Sequence, residues 1–181
     1  MAYGSRAGSG TGPGGAPVLT VGEAITAAEV VLLAVPGGAV AEVVAAHSAA
    51  LAGKVVIDAV NRIGEPVVNS HEAIMAAAPQ CRYVRAFNTL GWENFADPPP
   101  GAAMFFAADP GARPAAEELI TAVGLQPVFA GDTGASTQIL ALCSFPPAAA
   151  KPASPNDRRC GAPMAGDQGL HLAVRGGDKR G

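Results

Sequence analysis

The chain has 181 residues, 49% of them hydrophobic and 5% aromatic, with 23 glycines and 16 prolines, which fits one domain with a small-residue, aliphatic core. Its net charge of −3 is uneven: residues 1–143 carry six Lys/Arg against twelve Asp/Glu (−6), and residues 144–181 carry six against three (+3). The larger part therefore offers no basic surface for nucleic acid, and no apolar run approaches the roughly 20 residues of a membrane helix.

Cys81, Cys143 and Cys160 lie far apart, with no CxxC pair and no His/Cys cluster, so neither a disulfide framework nor a zinc site is expected. The opening MAYGSRAGSG lacks the apolar core of a signal peptide. These features fit a cytoplasmic protein whose partners are small molecules.

Residues 1–16 run from AYGSR into GSGTGPGGA, too rich in glycine to bury a surface. Gly10, Gly12 and Gly15 match G-x-G-x-x-G literally. The dinucleotide fingerprint, however, needs a strand before it and a helix opening at its end. Pro13 interrupts the match and the strand-like PVLTV follows, which favours a linker over a phosphate-binding turn.

Thr20 stands three residues before Glu23, the spacing of a capping box, and predicts a short helix over GEAITAAE. Val30 to Gly38, VVLLAVPGG, then reads as a strand buried on both faces that stops at a proline and two glycines. Helical spacing of Val40, Val43, Val44 and Leu51 predicts a helix from Ala39 to Leu51. Lys54 to Asp58, KVVID, repeats the buried-strand pattern, completing a βαβ unit with its right-handed crossover.

Asn69 and Glu72 are placed to cap a helix over Ser70–Ala77. Strands are expected at Arg82–Phe87, Ala103–Ala107 and Gln126–Ala130, with an amphipathic helix at Arg113–Val123 and a turn or two of helix at Ser136–Cys143. Residues 144–181 alternate proline, glycine and polar residues without period. Such a segment buries too little to offset the entropy of ordering it, so it is expected to be a disordered tail. The expected fold class is α/β: an incomplete Rossmann-like parallel sheet with helices on both faces and that disordered C-terminal tail.

In open parallel sheets ligands sit beyond the carboxyl ends of the strands. That rule selects Pro36, Gly37 and Gly38 after one strand, Asp58 and Asn61 after the next, and Asn88 and Thr89 after a third. Small polar groups of this kind suit a planar cofactor held by hydrogen bonds. There is no Ser-His-Asp order, no metal-ligand spacing and no nucleophile with an adjacent base, so no catalytic residue is assigned. His71 admits two readings, a general acid or cofactor contact and a solvated helix residue. Asp58 is equally suited to contacting a ligand or capping the turn after it.

AYGSR, VVLLAVPGGAVAEVV, KVVIDAVNRIG, VVNSHEAIMAAAP, YVRAFNTLGWENFADP and AMFFAADPGARPAAEELITAVGLQPVFAGD, in that order, resemble the NADP-dependent oxidoreductases of the coenzyme F420 type. That domain is shared with the N-terminal part of pyrroline-5-carboxylate reductases. The resemblance implies direct hydride transfer between NADP(H) and a deazaflavin-type or related acceptor such as F420. It also implies that Ser5 and Arg6 hold the 2′-phosphate, that Val35, Pro36, Gly37 and Asn61 contact the cofactor, and that His71, Asn88, Thr89 and Leu90 lie on the substrate side. Relative to the family pattern the chain begins near the second strand, so the first βα unit with its pyrophosphate turn is expected to be missing. A truncated, catalytically silent remnant serving as a binding or scaffold module is the alternative. A homodimer is one admissible assembly.

Overall fold

The computed structural model describes residues 2–4, 10–12, 15–91, 93–139 and 171–175. Among the described residues eight strands form one sheet: β1 (Ala2–Gly4), β2 (Val18–Leu19), β3 (Val30–Ala34), β4 (Val55–Asp58), β5 (Arg82–Arg85), β6 (Ala103–Ala108), β7 (Gln126–Gly131) and β8 (His171–Arg175), in the spatial order β2-β1-β8-β3-β4-β5-β6-β7. The helices are α1 (Val21–Ala27), α2 (Val40–Ala46), α3 (Ser48–Leu51), α4 (His71–Ala77), α5 (Glu93–Ala96) and α6 (Arg113–Ala122).

The strands that read as doubly buried are so for a physical reason. Alternate residues of β3–β5 feed two separate cores. Val31, Leu33, Val56 and Tyr83 pack on one face with Ala24 and Ile25 of α1, Val40, Val43 and Val44 of α2, Leu51 of α3 and Ile74 of α4. Val55, Ile57 and Val84 pack on the other with Met104 and Phe106 of β6 and Ala116 and Ile120 of α6. Covered on both sides, β4 exposes none of its four side chains to water, which is why KVVID shows no polar alternation.

Local signals place the helix ends. Thr20 accepts from the Glu23 amide while Glu23 reaches back to the Thr20 N–H at 3.0 Å, completing the capping box. The predicted 39–51 helix is divided. Gly37–Ala39 form a 3-10 turn, and His47, at φ −124° and ψ 20°, separates α2 from α3. The capping of α4 differs in detail from expectation: Ser70 is the cap residue without a side-chain bond, while the Asn69 side chain accepts from the His71 N–H at 3.1 Å.

The sheet is parallel across β3, β4 and β5, across β1 and β2, and across β6 and β7, but it is not uniformly parallel. β6 runs antiparallel to β5. A parallel connection needs an element long enough to carry the chain back across the sheet. Among the described residues between β5 and β6 the only helix is the four-residue α5, followed by Pro98, Pro99 and Pro100, so the chain returns in the opposite sense.

The C-terminal stretch contributes one described strand, β8, whose residues 171–175 run antiparallel to both β1 and β3. A short segment with little core of its own gains two sets of backbone hydrogen bonds by entering an open slot between strands. Residues 144–170 and 176–181 lie outside the described residues, as do Cys143 and Cys160. Of the predicted Ser136–Cys143 helix, residues 136–139 are helical and the rest lies outside the described residues.

The glycine-rich stretch is not a strand-to-helix phosphate turn. Gly12 N–H donates to Ala16 C=O, Val18 N–H donates to Gly10 C=O, and Thr11 bridges Pro17, so the loop delivers the chain into β2.

Candidate functional site at the strand ends

The carboxyl ends of β3, β4 and β5 lie side by side because their register is simple: Leu33 pairs with Asp58, and Asp58 with Arg85. The last pairing sets a carboxylate beside a guanidinium at the mouth of the sheet. Both are wholly buried, with Arg85 Nη1 3.2 Å from Asp58 Oδ1. Such a pair survives desolvation only when the remaining lone pairs and protons find partners.

All but one of those partners are present, Arg85 Nε being buried with none among the described residues. Asp58 Oδ1 accepts from the Val60 N–H at 3.0 Å, and Oδ2 accepts from the Ser70 N–H at 2.7 Å and from the Tyr83 hydroxyl at 2.8 Å. Burial, and then the Asp58 charge, push the Tyr83 hydroxyl far above its usual range, so it stays a neutral donor. Arg85 donates through Nη1 to the Asp58 and Val60 carbonyls and through Nη2 to Asn61 Oδ1 at 2.8 Å. Of the two readings of Asp58, the turn-capping one is what the structure shows. The carboxylate is spent holding the loop from β4 to α4 against β5.

Asn61 continues the chain of bonds, its Nδ2 donating to the Asn88 carbonyl at 2.7 Å. The Asn88 side chain itself is different. It is 4% exposed, and neither its Nδ2 nor its Oδ1 has a hydrogen-bond partner among the described residues. The residue before it, Phe87, has φ 62°, the only positive value at a non-glycine position among the described residues. An aromatic residue held there is strained and needs its surroundings to fix it.

The remaining candidates take up their places around this pair. Val35 is buried in the first core and Pro36 begins the 3-10 turn, accepting from the Ala39 N–H at 2.8 Å. Gly37 is needed sterically, because a Cβ there would lie 2.9 Å from Arg62 Cγ on the neighbouring loop, whereas one on Gly38 would meet nothing within 4 Å. Thr89 is buried, with its hydroxyl 3.7 Å from Met104 Sδ, a weak bond. Leu90 packs on the second core. The His71 ring meets the Tyr83 ring edge-on, centroids 4.7 Å apart, which ties it to the Asp58 network. Ser5 and Arg6 lie outside the described residues.

Arg85 and Tyr83 were not among the sequence candidates. RYVR reads only as another strand, yet one signal was available. KVVID ends in an acid and RYVR in a base, so two parallel strands aligned at their ends bring the charges together. Among the described residues no group of three or more His, Cys, Asp or Glu side chains is placed to hold a metal ion, and no helix is long and apolar enough to cross a membrane.

A parallel-dominated α/β sheet covered by helices on both faces, with small polar residues gathered at the strand ends, is a Rossmann-like nucleotide-binding architecture. Residues 11–62, spanning β2 to the loop after β4, match the family of coenzyme F420-dependent NADP oxidoreductases. A solved structure from Arthrobacter sp. FB24, of a protein inferred to be an F420-dependent NADP-reductase, superposes with a TM-score of 0.60 at 23% identity, over 69% of this chain and 65% of that one. Hypothetical protein SMa0349 from Sinorhizobium meliloti superposes with a TM-score of 0.60 at 30% identity, over 70% of this chain and 67% of that one. The chain therefore spans about two thirds of the length of these structures and belongs to the F420-dependent NADP oxidoreductase family. No curated protein matches it.

Proposed function

We propose that the chain binds NADP(H) at the ends of β3, β4 and β5 and places its nicotinamide for direct hydride exchange with a deazaflavin-type or related planar acceptor, F420 being the acceptor the family suggests. The observation that carries this reading is Asn88, a nearly buried carboxamide with an unused donor and an unused acceptor. Leaving both unmet costs about 1–3 kcal/mol per group, a cost that a ligand with its own carboxamide or lactam edge removes. The residues present thus fit the nicotinamide end.

On this reading Val35, Pro36 and Gly37 form the wall against one ring face, and Asn61 acts mainly by holding the Asn88 backbone. Asn88 stands where the two rings would meet, its carboxamide toward that of the nicotinamide, while Thr89 and Leu90 face the acceptor with His71 at the rim. Ser5 and Arg6, directly after β1 in sequence, would hold the 2′-phosphate, since a forked guanidinium suits phosphate oxygens. When bound, the nicotinamide would supply or accept the hydride. The chain's part is to orient the two rings and keep water from between them, and it needs no acid or base to do so. The working setting is the cytoplasm, with NADP(H) and a small acceptor as partners and a homodimer as the proposed assembly.

One observation favours a second reading, a binding module without turnover. β8 occupies the place between β1 and β3 in antiparallel sense. No strand of the described residues therefore runs from that position into a helix N-terminus, the usual seat of a pyrophosphate.

Calorimetric titration with NADPH tests the main reading. Saturable binding is expected, weakened at least tenfold by Asn88→Ala, and no saturation at millimolar cofactor would sink it. Arg6→Ala should weaken NADPH much more than NADH, and equal loss for both would refute the 2′-phosphate role. Binding without F420 reduction would favour the second reading.

A further inference from the structure

The sheet order β2-β1-β8-β3 gives β8 a singular position. Among the described residues β1 pairs only with β2 and β8, and β3 only with β4 and β8. Among the described residues the two short N-terminal strands, three and two residues long, therefore have no strand pairing to the main sheet except through residues 171–175. We propose that the cleft between β1 and β3 is a strand-acceptor site, and that the chain's own segment 171–175 fills it as a latch that fixes the N-terminal edge of the sheet to the rest.

Three features support the assignment. The pairing is continuous on both sides: Ala2, Tyr3 and Gly4 face Val174, Ala173 and Leu172, and Val30 through Ala34 face Arg175 through His171. α1, which follows β2 directly, packs against both β1 and β8, so the latch also carries the first helix. Finally, an unfilled cleft would leave two open edges at the centre of the sheet, each with unpaired N–H and C=O groups. The occupant is this chain's own segment because it is the only strand of the described residues that enters the cleft. Thirty-one residues, 140–170, separate it from the last described helical turn, more than enough to span the sheet at about 3.3 Å per extended residue.

The consequence is a device joining a late segment to an early one. If β8 leaves, β1 loses its pairing to the rest of the sheet. Where the proposed 2′-phosphate role of Ser5 and Arg6 holds, loss of the latch weakens NADPH more than NADH. That extension rests on the proposed function, while the latch itself does not.

The tests use the full chain. Directly opposed antiparallel residues have Cα atoms about 4.5–5.5 Å apart, within reach of a disulfide. Leu32→Cys with Ala173→Cys, and separately Val31→Cys with Val174→Cys, are introduced with Cys81→Ala, Cys143→Ser and Cys160→Ser. Adjacent pairs alternate between the wide and narrow types, so at least one should close within a single chain on mild oxidation. Leu33→Cys with Ala173→Cys, on opposite faces, should not. Closure between two chains, or closure of neither pair, overturns the proposal.

Hydrogen exchange of the unmodified protein provides a readout independent of any substitution. The amides of residues 171–175 should be protected together with those of 30–34, and exchange at unfolded-chain rates in 171–175 would overturn the latch. Ala173→Pro, which removes a ladder donor from a central strand, should raise exchange in residues 2–4 at least tenfold while 55–58 remain protected. Unchanged exchange in 2–4 also counts against it.

Discussion

Two carboxamides meet at the strand ends, and they are employed differently. Asn61 spends its oxygen on Arg85 and its nitrogen on the Asn88 backbone, while the Asn88 side chain, the more deeply buried of the two, spends neither atom within the described chain. The first belongs to the frame: it extends the Asp58–Arg85 pair outward and fixes the loops. The second is held ready by that frame. A buried polar group that has partners reports on stability, and a carboxamide with neither end paired calls for an explanation of its own, a bound ligand being the one the proposed function supplies.

The comparison is broken most forcefully at its base. Asp58→Ala would leave the Arg85 charge buried without its carboxylate, together with unmet donors at Tyr83, Ser70 and Val60. A loss of about 3–5 kcal/mol is expected in urea denaturation; a loss below 1 kcal/mol would show that water reaches the pair. Asn61→Ala should cost about 1–3 kcal/mol by leaving Arg85 Nη2 unpaired. It should also weaken NADPH, because Asn88 loses its anchor.

A smaller effect concerns the thiol at the start of β5. Burial first, then the Asp109 charge, push the Cys81 thiol above its ordinary 9.0. The folded state therefore keeps the proton that the unfolded state releases. Stability should be level below the unfolded value and fall as pH rises through it, by at most about 1.4 kcal/mol per pH unit. Cys81→Ala should flatten that part of the decline in chemical denaturation. The Tyr83 hydroxyl, shifted in the same direction, adds its own decline at higher pH.

Asn88→Ala should move stability least. Within about 0.5 kcal/mol of the parent, or slightly above it, is the expected result, since the deleted amide leaves no partner behind. A loss beyond 2 kcal/mol would place Asn88 in the frame with Asn61 and end the distinction between them. The same variant's NADPH titration then separates a ligand contact from a silent position.

Much of this was legible from local pattern. Continuous apolar runs at VVLLAV and KVVID can be satisfied only by cover on both faces, and the two cores provide it. The Thr20–Glu23 capping box, the Pro-Gly-Gly turn after β3 and the helix begun near Pro114 rest on interactions within a few residues, which a linear sequence displays. The set of residues at the strand ends follows from the rule for parallel sheets, without knowledge of which side chains would be occupied.

The tertiary structure decided what depends on pairing between distant segments. That Asp58 and Arg85 meet is a consequence of register between strands 27 residues apart. That the Asn61 side chain is fully paired while the Asn88 side chain has no partner among the described residues is likewise visible only in the assembled loops. HLAVR is three-fifths apolar but too short to announce an interior strand among so much proline and glycine. It becomes one because β1 and β3 present unpaired backbone on either side, and hydrogen-bonding need of that kind belongs to the assembled sheet and to no single stretch of sequence.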